Sequence, residues 1–303
     1  MRYTTSILAA CATFAIAGTA QATTITNGDL SMGLYDNGGL GSGGVGLALA
    51  GAGDAITPGC LCEGWGVAAN GNGNKYVYGG SSTGFTSATM SDVTASSAKS
   101  VVTTNDGLTI THTYTPVAGE TLFKIDVVIK NDSGATRTDV RYARTLDWDV
   151  TPGYFDSNYT TVYVPGVAPE GKVMHTSTNP FDAPNPMVTR SQNANTNVHD
   201  IVGDLGSFFI FSFGDLADGD ELSFTTFIGA YTSASALLSA FSSVDVEAYS
   251  YTTGSGGLNA FGYGFAGLDL PPIGGGDVPE PAALALFGLG VLGLGAARRR
   301  RKA

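Results

Sequence analysis

The chain has 303 residues, 43 of them glycine, with 15 Lys and Arg against 26 Asp and Glu and a formal net charge of −11. Six of those cations and one of those acids lie near the two ends, so between Thr23 and Asp277 nine Lys and Arg face 25 Asp and Glu, about −16. Such a field opposes nucleic acid and anionic lipid and suits divalent cations, amines or neutral sugars, while the scarcity of Lys and Glu beside abundant Gly, Ser, Thr and Asn argues for extracellular β-structure over a helical enzyme.

In chain order, the first feature is an export signal. Arg2 precedes a moderately apolar run over residues 7–17, and Ala20-Gln21-Ala22 supplies the small-x-small site at which signal peptidase would cut before Thr23. Residues 1–22 are therefore read as a signal peptide. Leu8-Ala9-Ala10-Cys11 also fits a lipoprotein box, although cutting there would waste the apolar run that follows. Cys11 leaves with the signal, so the exported body, residues 23–270, keeps only Cys60 and Cys62. Outside the cytoplasm these thiols are expected to oxidise to a strained loop disulfide. A metal pair is disfavoured because His112, His175 and His199 show no ligand spacing.

Alternation then dominates. Residues 101–104, the turn Asn105-Asp106-Gly107 and the row Leu108, Ile110, His112 and Tyr114 predict a β-hairpin with a threonine outer face and His112 inside. Phe123, Ile125, Val127 and Ile129 predict the next strand. Residues 139–150 predict another, with Val140, Tyr142, Leu146, Trp148 and Val150 toward the core and Arg144 among them. A buried guanidinium costs several kcal/mol unless paired, so Arg144 calls for an anion. Asp147 and Asp149 fall on the opposite face, roughly 7 Å apart at Cα, a spacing that makes them a candidate calcium pair beside the plainer reading of surface acids.

Residues 154–196 read as long loops around a few short strands. Residues 207–213, the turn Asp218-Gly219-Asp220 and residues 222–231 predict a second hairpin rich in phenylalanine, with Asp215, Asp218, Asp220 and Glu221 as solvated turn acids. Residues 233–247 give the one helix of the body, behind a Ser/Thr cap and with Leu237, Leu238, Phe241 and Val244 on one stripe. A final strand follows over residues 258–268, where Phe261, Tyr263 and Phe265 alternate with Gly262 and Gly264, and residues 271–277 form a Pro/Gly linker.

The tail, residues 278–303, is an address. Val278, Pro279, Glu280 and Pro281 precede an uncharged apolar stretch over residues 282–297, closed by Arg298, Arg299, Arg300, Arg301 and Lys302. As a helix at about 1.5 Å per residue that stretch reaches about 24 Å, somewhat short of the ~30 Å hydrocarbon core, and snorkelling arginines can cover the difference. The cation block would stop transfer and hold its end in the cytoplasm, leaving everything before it outside. Pro-Glu-Pro, a short Gly/Leu/Ala helix and an arginine cluster, in that order, resemble the PEP-CTERM sorting signal of Gram-negative exopolysaccharide producers. That resemblance implies recognition by the membrane peptidase exosortase and removal of the tail. A plain membrane anchor is the alternative.

Within the body, Asn27-Gly28-Asp29-Leu30 with Gly33, residues 58–66, Arg141-Tyr142-Ala143-Arg144 leading to Asp147-Trp148-Asp149, and Gly203-Asp204-Leu205-Gly206 leading to Phe213-Gly214-Asp215-Leu216 resemble a family of bacterial extracellular β-rich modules. The resemblance implies an exported β-domain and carries over no catalytic residue. The Asn-Gly-x-Leu opening also resembles sugar-active β-supersandwich folds.

The expected fold is thus all-β: a large two-sheet antiparallel sandwich, supersandwich-like in outline, with one short helix and a C-terminal transmembrane sorting helix. The expected protein is a precursor anchored in the inner membrane and processed by signal peptidase and exosortase. It ends at the cell surface or in an exopolysaccharide or biofilm matrix, with no catalytic residues, no cofactor beyond weakly held calcium and no nucleic-acid partner. The alternative is a carbohydrate-binding module, with Trp65, Trp148 and Tyr154 as stacking platforms, or a polysaccharide-active enzyme. Against the enzyme, no motif links a serine to His175 or His199.

Overall fold

The computed structural model describes residues 23–155, 157–169 and 171–273. The signal-peptide residues before Thr23, most of the linker and the whole sorting tail with its expected membrane helix lie outside the described residues. Among the described residues, no helix is long and apolar enough to cross a membrane.

The body is built of antiparallel strands in three sheets, where the sequence pointed to two. The largest has nine strands, in the order Val198–Val202, Tyr159–Tyr163, Ala248–Thr253, Ala260–Ala266, Glu221–Tyr231, Leu122–Asn131, Leu108–Pro116, Ala98–Thr104 and Phe85–Ser91. The second has six: Val173–Ser177, Gly206–Leu216, Arg137–Asp147, Glu63–Ala68, Tyr76–Tyr78 and Ser81–Thr83. Period-two alternation explains why they face each other, because each large sheet turns one apolar row inward. Across the interface Trp65 meets His112 with ring centres 4.6 Å apart, Tyr142 meets Phe224 at 4.9 Å and Phe211 meets Phe265 at 4.6 Å.

The third sheet is small, with Thr23–Asn27, Leu30–Leu34, Leu47–Leu49 and Gly53–Asp54. Its first turn needs the left-handed backbone of Gly28, at φ +59°. Asn27 Nδ2 donates to the carbonyls of Glu120 and Leu122 at 2.9 and 2.8 Å, which ties this sheet to the large one. Ile25, Leu30 and Met32 then join the common core.

The helix is Ala234–Ser243, capped by Ser233, whose hydroxyl accepts from the Ala236 N–H. It lies on the outer face of the nine-stranded sheet, where Leu237, Leu238 and Phe241 pack with Tyr249 and Tyr251. The alternating glycines of Ala260–Ala266 make room for this layer. A Cβ at Gly262 would stand 2.7 Å from Leu237 Cδ2, and one at Gly264 would stand 2.6 Å from Val246 Cγ1.

Two expectations are corrected here. Gly206–Leu216 and Glu221–Tyr231 are both strands, yet they do not pair with each other: the first belongs to the six-stranded sheet and the second to the nine-stranded sheet. The Asp218-Gly219-Asp220 turn is a corner between sheets. Phe213 stacks on Phe224 at 5.2 Å across that corner, so apolar rows that look like one hairpin cover each other from opposite layers.

The strand read over residues 139–150 is instead Arg137–Asp147, with register shifts on either side of Val140 and Asp139 at φ +52°. Beyond Tyr142 both of its faces are buried, and on the outer one the loop around residues 178–192 lies over Thr145, whose Oγ1 contacts Pro180 O and Arg190. Arg190 anchors that loop, its guanidinium lying 3.6 Å over the Phe208 ring and donating to Thr145 Oγ1 at 2.8 Å.

Candidate functional site

The strand Arg137–Asp147 ends where three backbone contacts take over. The Asp147 N–H donates to Cys62 O at 3.1 Å, the Asp149 N–H to Ala55 O at 2.9 Å, and Asn158 Nδ2 donates to Trp148 O. Trp148 enters the core, with its indole N–H 3.2 Å from Ser250 Oγ and its ring centre 5.8 Å from that of Tyr263. On either side of this anchor, Asp147 and Asp149 converge with Asp204, and one carboxylate oxygen from each lies within 4.8 Å of the others.

Asp147 is 2% exposed and Asp149 0% exposed, whereas Asp204 is open to solvent. The expectation of surface acids on a free outer face is therefore corrected: both strand-end aspartates are buried by the covering segments. Oδ1 of Asp147 and both carboxylate oxygens of Asp149 have no hydrogen-bond partner. Burial, then the Asp149 and Asp204 carboxylates, push the Asp147 carboxyl up to about 8. Burial and Asp204 push Asp149 up to about 7. Two unit charges at this separation repel by roughly 3 kcal/mol at an effective dielectric of about 20, so the group favours taking up positive charge, as a proton or as a cation.

Beside the acids, Cys60 and Cys62 form a disulfide with Cα atoms 5.2 Å apart, and Cys60 Sγ lies 3.4 Å from Asp147 Oδ2. A disulfide sulfur has no proton to give, so this is a contact and not a hydrogen bond. Cys60, Cys62 and Asp147 form a second convergent set, but bridged sulfurs are not thiolate ligands, which leaves the carboxylates as the available donors. At the rim, the rings of Tyr154 and Phe155 stand 6.0 Å apart and are 39% and 44% exposed. Gly59, at φ +75°, fits between ring and acid: a Cβ there would lie 2.5 Å from Phe155 Cε1 and 3.1 Å from Asp149 Oδ2.

The other sequence candidates do not join this cluster. Trp65 and Trp148 are fully buried, which removes both as stacking platforms and leaves Tyr154. Asp218 and Asp215 accept from the backbone N–H groups of Gly134 and Asp139, at 2.7 and 3.0 Å, and so organise turns. His175 Nε2 accepts from the Arg190 N–H at 3.0 Å.

His112 is a core residue whose Nε2 lies 3.3 Å from Tyr142 Oη, and Nδ1 has no partner. Burial, and then Arg144, lower its pKa to about 3. The folded protein therefore keeps this ring neutral while the unfolded chain charges it below about pH 6.5, so stability is lost as pH falls through that value toward 3. Between pH 7 and pH 5 the wild type is expected to lose about 2 kcal/mol relative to a His112→Asn variant, measured by urea unfolding. Parallel pH profiles for the two proteins would contradict this.

Residues 277–301 match the family model of the PEP-CTERM protein-sorting motif. The chain carries a PEP-CTERM sorting signal. The PEP-CTERM match covers the tail and leaves the described body outside it, so it bears on destination and not on the aspartate cluster. No curated protein matches the chain. Among solved structures, a putative aldose 1-epimerase from Escherichia coli K12 is similar at 8% identity and a TM-score of 0.38, over 82% of this chain and 88% of that one. At that level no residue role is carried over from it.

Proposed function

We propose that this is an exported protein, sorted by exosortase, whose acidic β-rich body acts without catalysis at the cell surface or in an exopolysaccharide matrix. The match of residues 277–301 to the PEP-CTERM motif carries the reading. It is supported by the order of Glu280 between two prolines, the uncharged apolar stretch and the block from Arg298 to Lys302. Signal peptidase acts first, at Ala22 and Thr23, and the apolar stretch holds the precursor in the inner membrane until exosortase removes it. The net charge of the body, about −16, suits a soluble outer-surface role. Polar residues that could do chemistry are largely committed to structure: Arg144 and His112 lie in the core, and Arg190 anchors a loop.

Deleting residues 278–303 is expected to release the body in soluble, exported form, and Glu280→Ala is expected to accumulate uncut precursor in the inner membrane. Cell fractionation with mass spectrometry of the C-terminus reads both outcomes. Normal processing of Glu280→Ala and of the Pro279 and Pro281 variants would reduce the tail to a plain anchor.

A second reading, a carbohydrate-binding module, draws on the exposed Tyr154 and Phe155 rings beside the aspartates. Paired exposed rings next to hydrogen-bond acceptors suit the apolar face and the hydroxyls of a sugar.

A further inference from the structure

We propose that Asp147, Asp149 and Asp204 together bind one hard divalent cation, calcium in preference to magnesium or zinc. The first support is distance. Oxygens bound to one calcium at 2.3–2.6 Å can stand at most about 5 Å apart, and three carboxylates here each offer an oxygen within 4.8 Å of the other two.

The second is the state of the oxygens. Three of the four on Asp147 and Asp149 are buried without a hydrogen-bond partner, a costly arrangement that a cation would relieve. The backbone contacts at Cys62 O and Ala55 O hold these aspartates in place, so the site is pre-organised.

The chemistry of the donors selects the ion. Carboxylates suit calcium and magnesium, and the neighbouring sulfurs of Cys60 and Cys62, which as thiolates would favour zinc, are paired with each other. Magnesium demands near-octahedral geometry, whereas calcium accepts an irregular shell completed by water, and the solvent-exposed side of Asp204 gives water that access. A bound ion would tie the end of the Arg137–Asp147 strand to the segment between Val198–Val202 and Gly206–Leu216, linking the edge of one large sheet to the middle of the other.

The test is isothermal titration of calcium, magnesium and zinc chlorides into the purified full-length protein with its disulfide intact, alongside melting curves in EDTA, in calcium and in sodium chloride of matched ionic strength. Calcium is expected to bind saturably with Kd on the order of 10⁻⁴ to 10⁻³ M, with magnesium about tenfold weaker. Asp204→Asn, a substitution on the surface, should fold, melt no lower than the wild type in EDTA because a repelling charge is gone, and weaken calcium about tenfold. Asp149→Asn should melt higher than the wild type in EDTA, because a repelling buried charge is gone, and lower than it in saturating calcium. If Asp149→Asn does not fold, Asp204→Asn decides alone. No saturable calcium heat up to about ten times the upper Kd, undiminished binding by Asp204→Asn, or a melting shift that sodium chloride reproduces would each overturn the proposal. So would zinc binding more tightly than calcium to the protein with its disulfide intact.

Discussion

Glu63→Gln is expected to destabilise the fold by about 3–5 kcal/mol, the cost of leaving a buried charge without its partner. Glu63 opens the Glu63–Ala68 strand and is 0% exposed; its Oε1 pairs with Nη2 of Arg144, itself 2% exposed, on the neighbouring strand. Its other oxygen accepts the Leu40 N–H at 2.7 Å. Burial pushes the Glu63 carboxyl up, against the pull of Arg144 and of that N–H. Burial also works against the Arg144 charge, but Glu63, followed by Tyr142 and Tyr114, more than reverses this and holds the guanidinium protonated.

The two halves of the pair therefore fail differently. Arg144→Met leaves a carboxylate that can neutralise itself by taking a proton, so its cost should shrink as pH falls toward 5. Glu63→Gln leaves a guanidinium that cannot give its proton up, so its cost should stay constant over that range. The double variant should lose clearly less than the two single losses together, because both charges are gone and the residual defect is one of shape. Urea unfolding of the four proteins at pH 7 and pH 5 reads this directly. Additive losses would mean that the pair contributes no coupling.

Residue pattern alone reaches a good part of this fold. Alternation places Ile110, Tyr114, Phe123, Ile125 and Val127 in the core, and all are fully buried. The glycines of Ala260–Ala266 and the Leu237, Leu238 and Phe241 stripe are complementary surfaces of one contact, legible as separate halves in the sequence. Period and local turns say nothing of which strand lies beside which. The short acidic turn at Asp218 looks the same whether it closes a hairpin or carries the chain between layers, and only the pairing of its two strands with partners in different sheets separates the two cases.

The same limit governs the candidate site. Asp147 and Asp149 are legible as a pair because they sit two apart, whereas Asp204 joins them from 55 residues beyond Asp149 and Glu63 meets Arg144 from 81 residues before it. The anion that Arg144 needs is predictable as a requirement, since a buried charge must be paired. Which of 25 body acids supplies it is a property of strand order. Covering of the outer face by the loop around residues 178–192 likewise depends on Arg190 stacking on Phe208, a long-range contact with no local signature.

Trp148→Ala should cost about 3–5 kcal/mol, comparable to the loss of the ion pair but by a different route. The indole is 0% exposed, is packed against Tyr263 and donates to Ser250 Oγ, so its removal opens a cavity whose walls are strands of the large sheet and cannot easily close in. Trp148→Phe fills most of that space and forfeits the hydrogen bond, and about 1–2 kcal/mol is expected. Trp65 is the other of the two tryptophans in the chain, so its fluorescence follows unfolding in both variants. The position of Trp148 between Asp147 and Asp149 adds a second readout. If the indole is what sets the two carboxylates side by side, Trp148→Ala should weaken the response to calcium at temperatures where the fold is intact, while Trp148→Phe should keep it. A near-neutral effect of Trp148→Ala on stability would instead mean that the ring is not held in the core, and would return it to the residues that could meet a ligand.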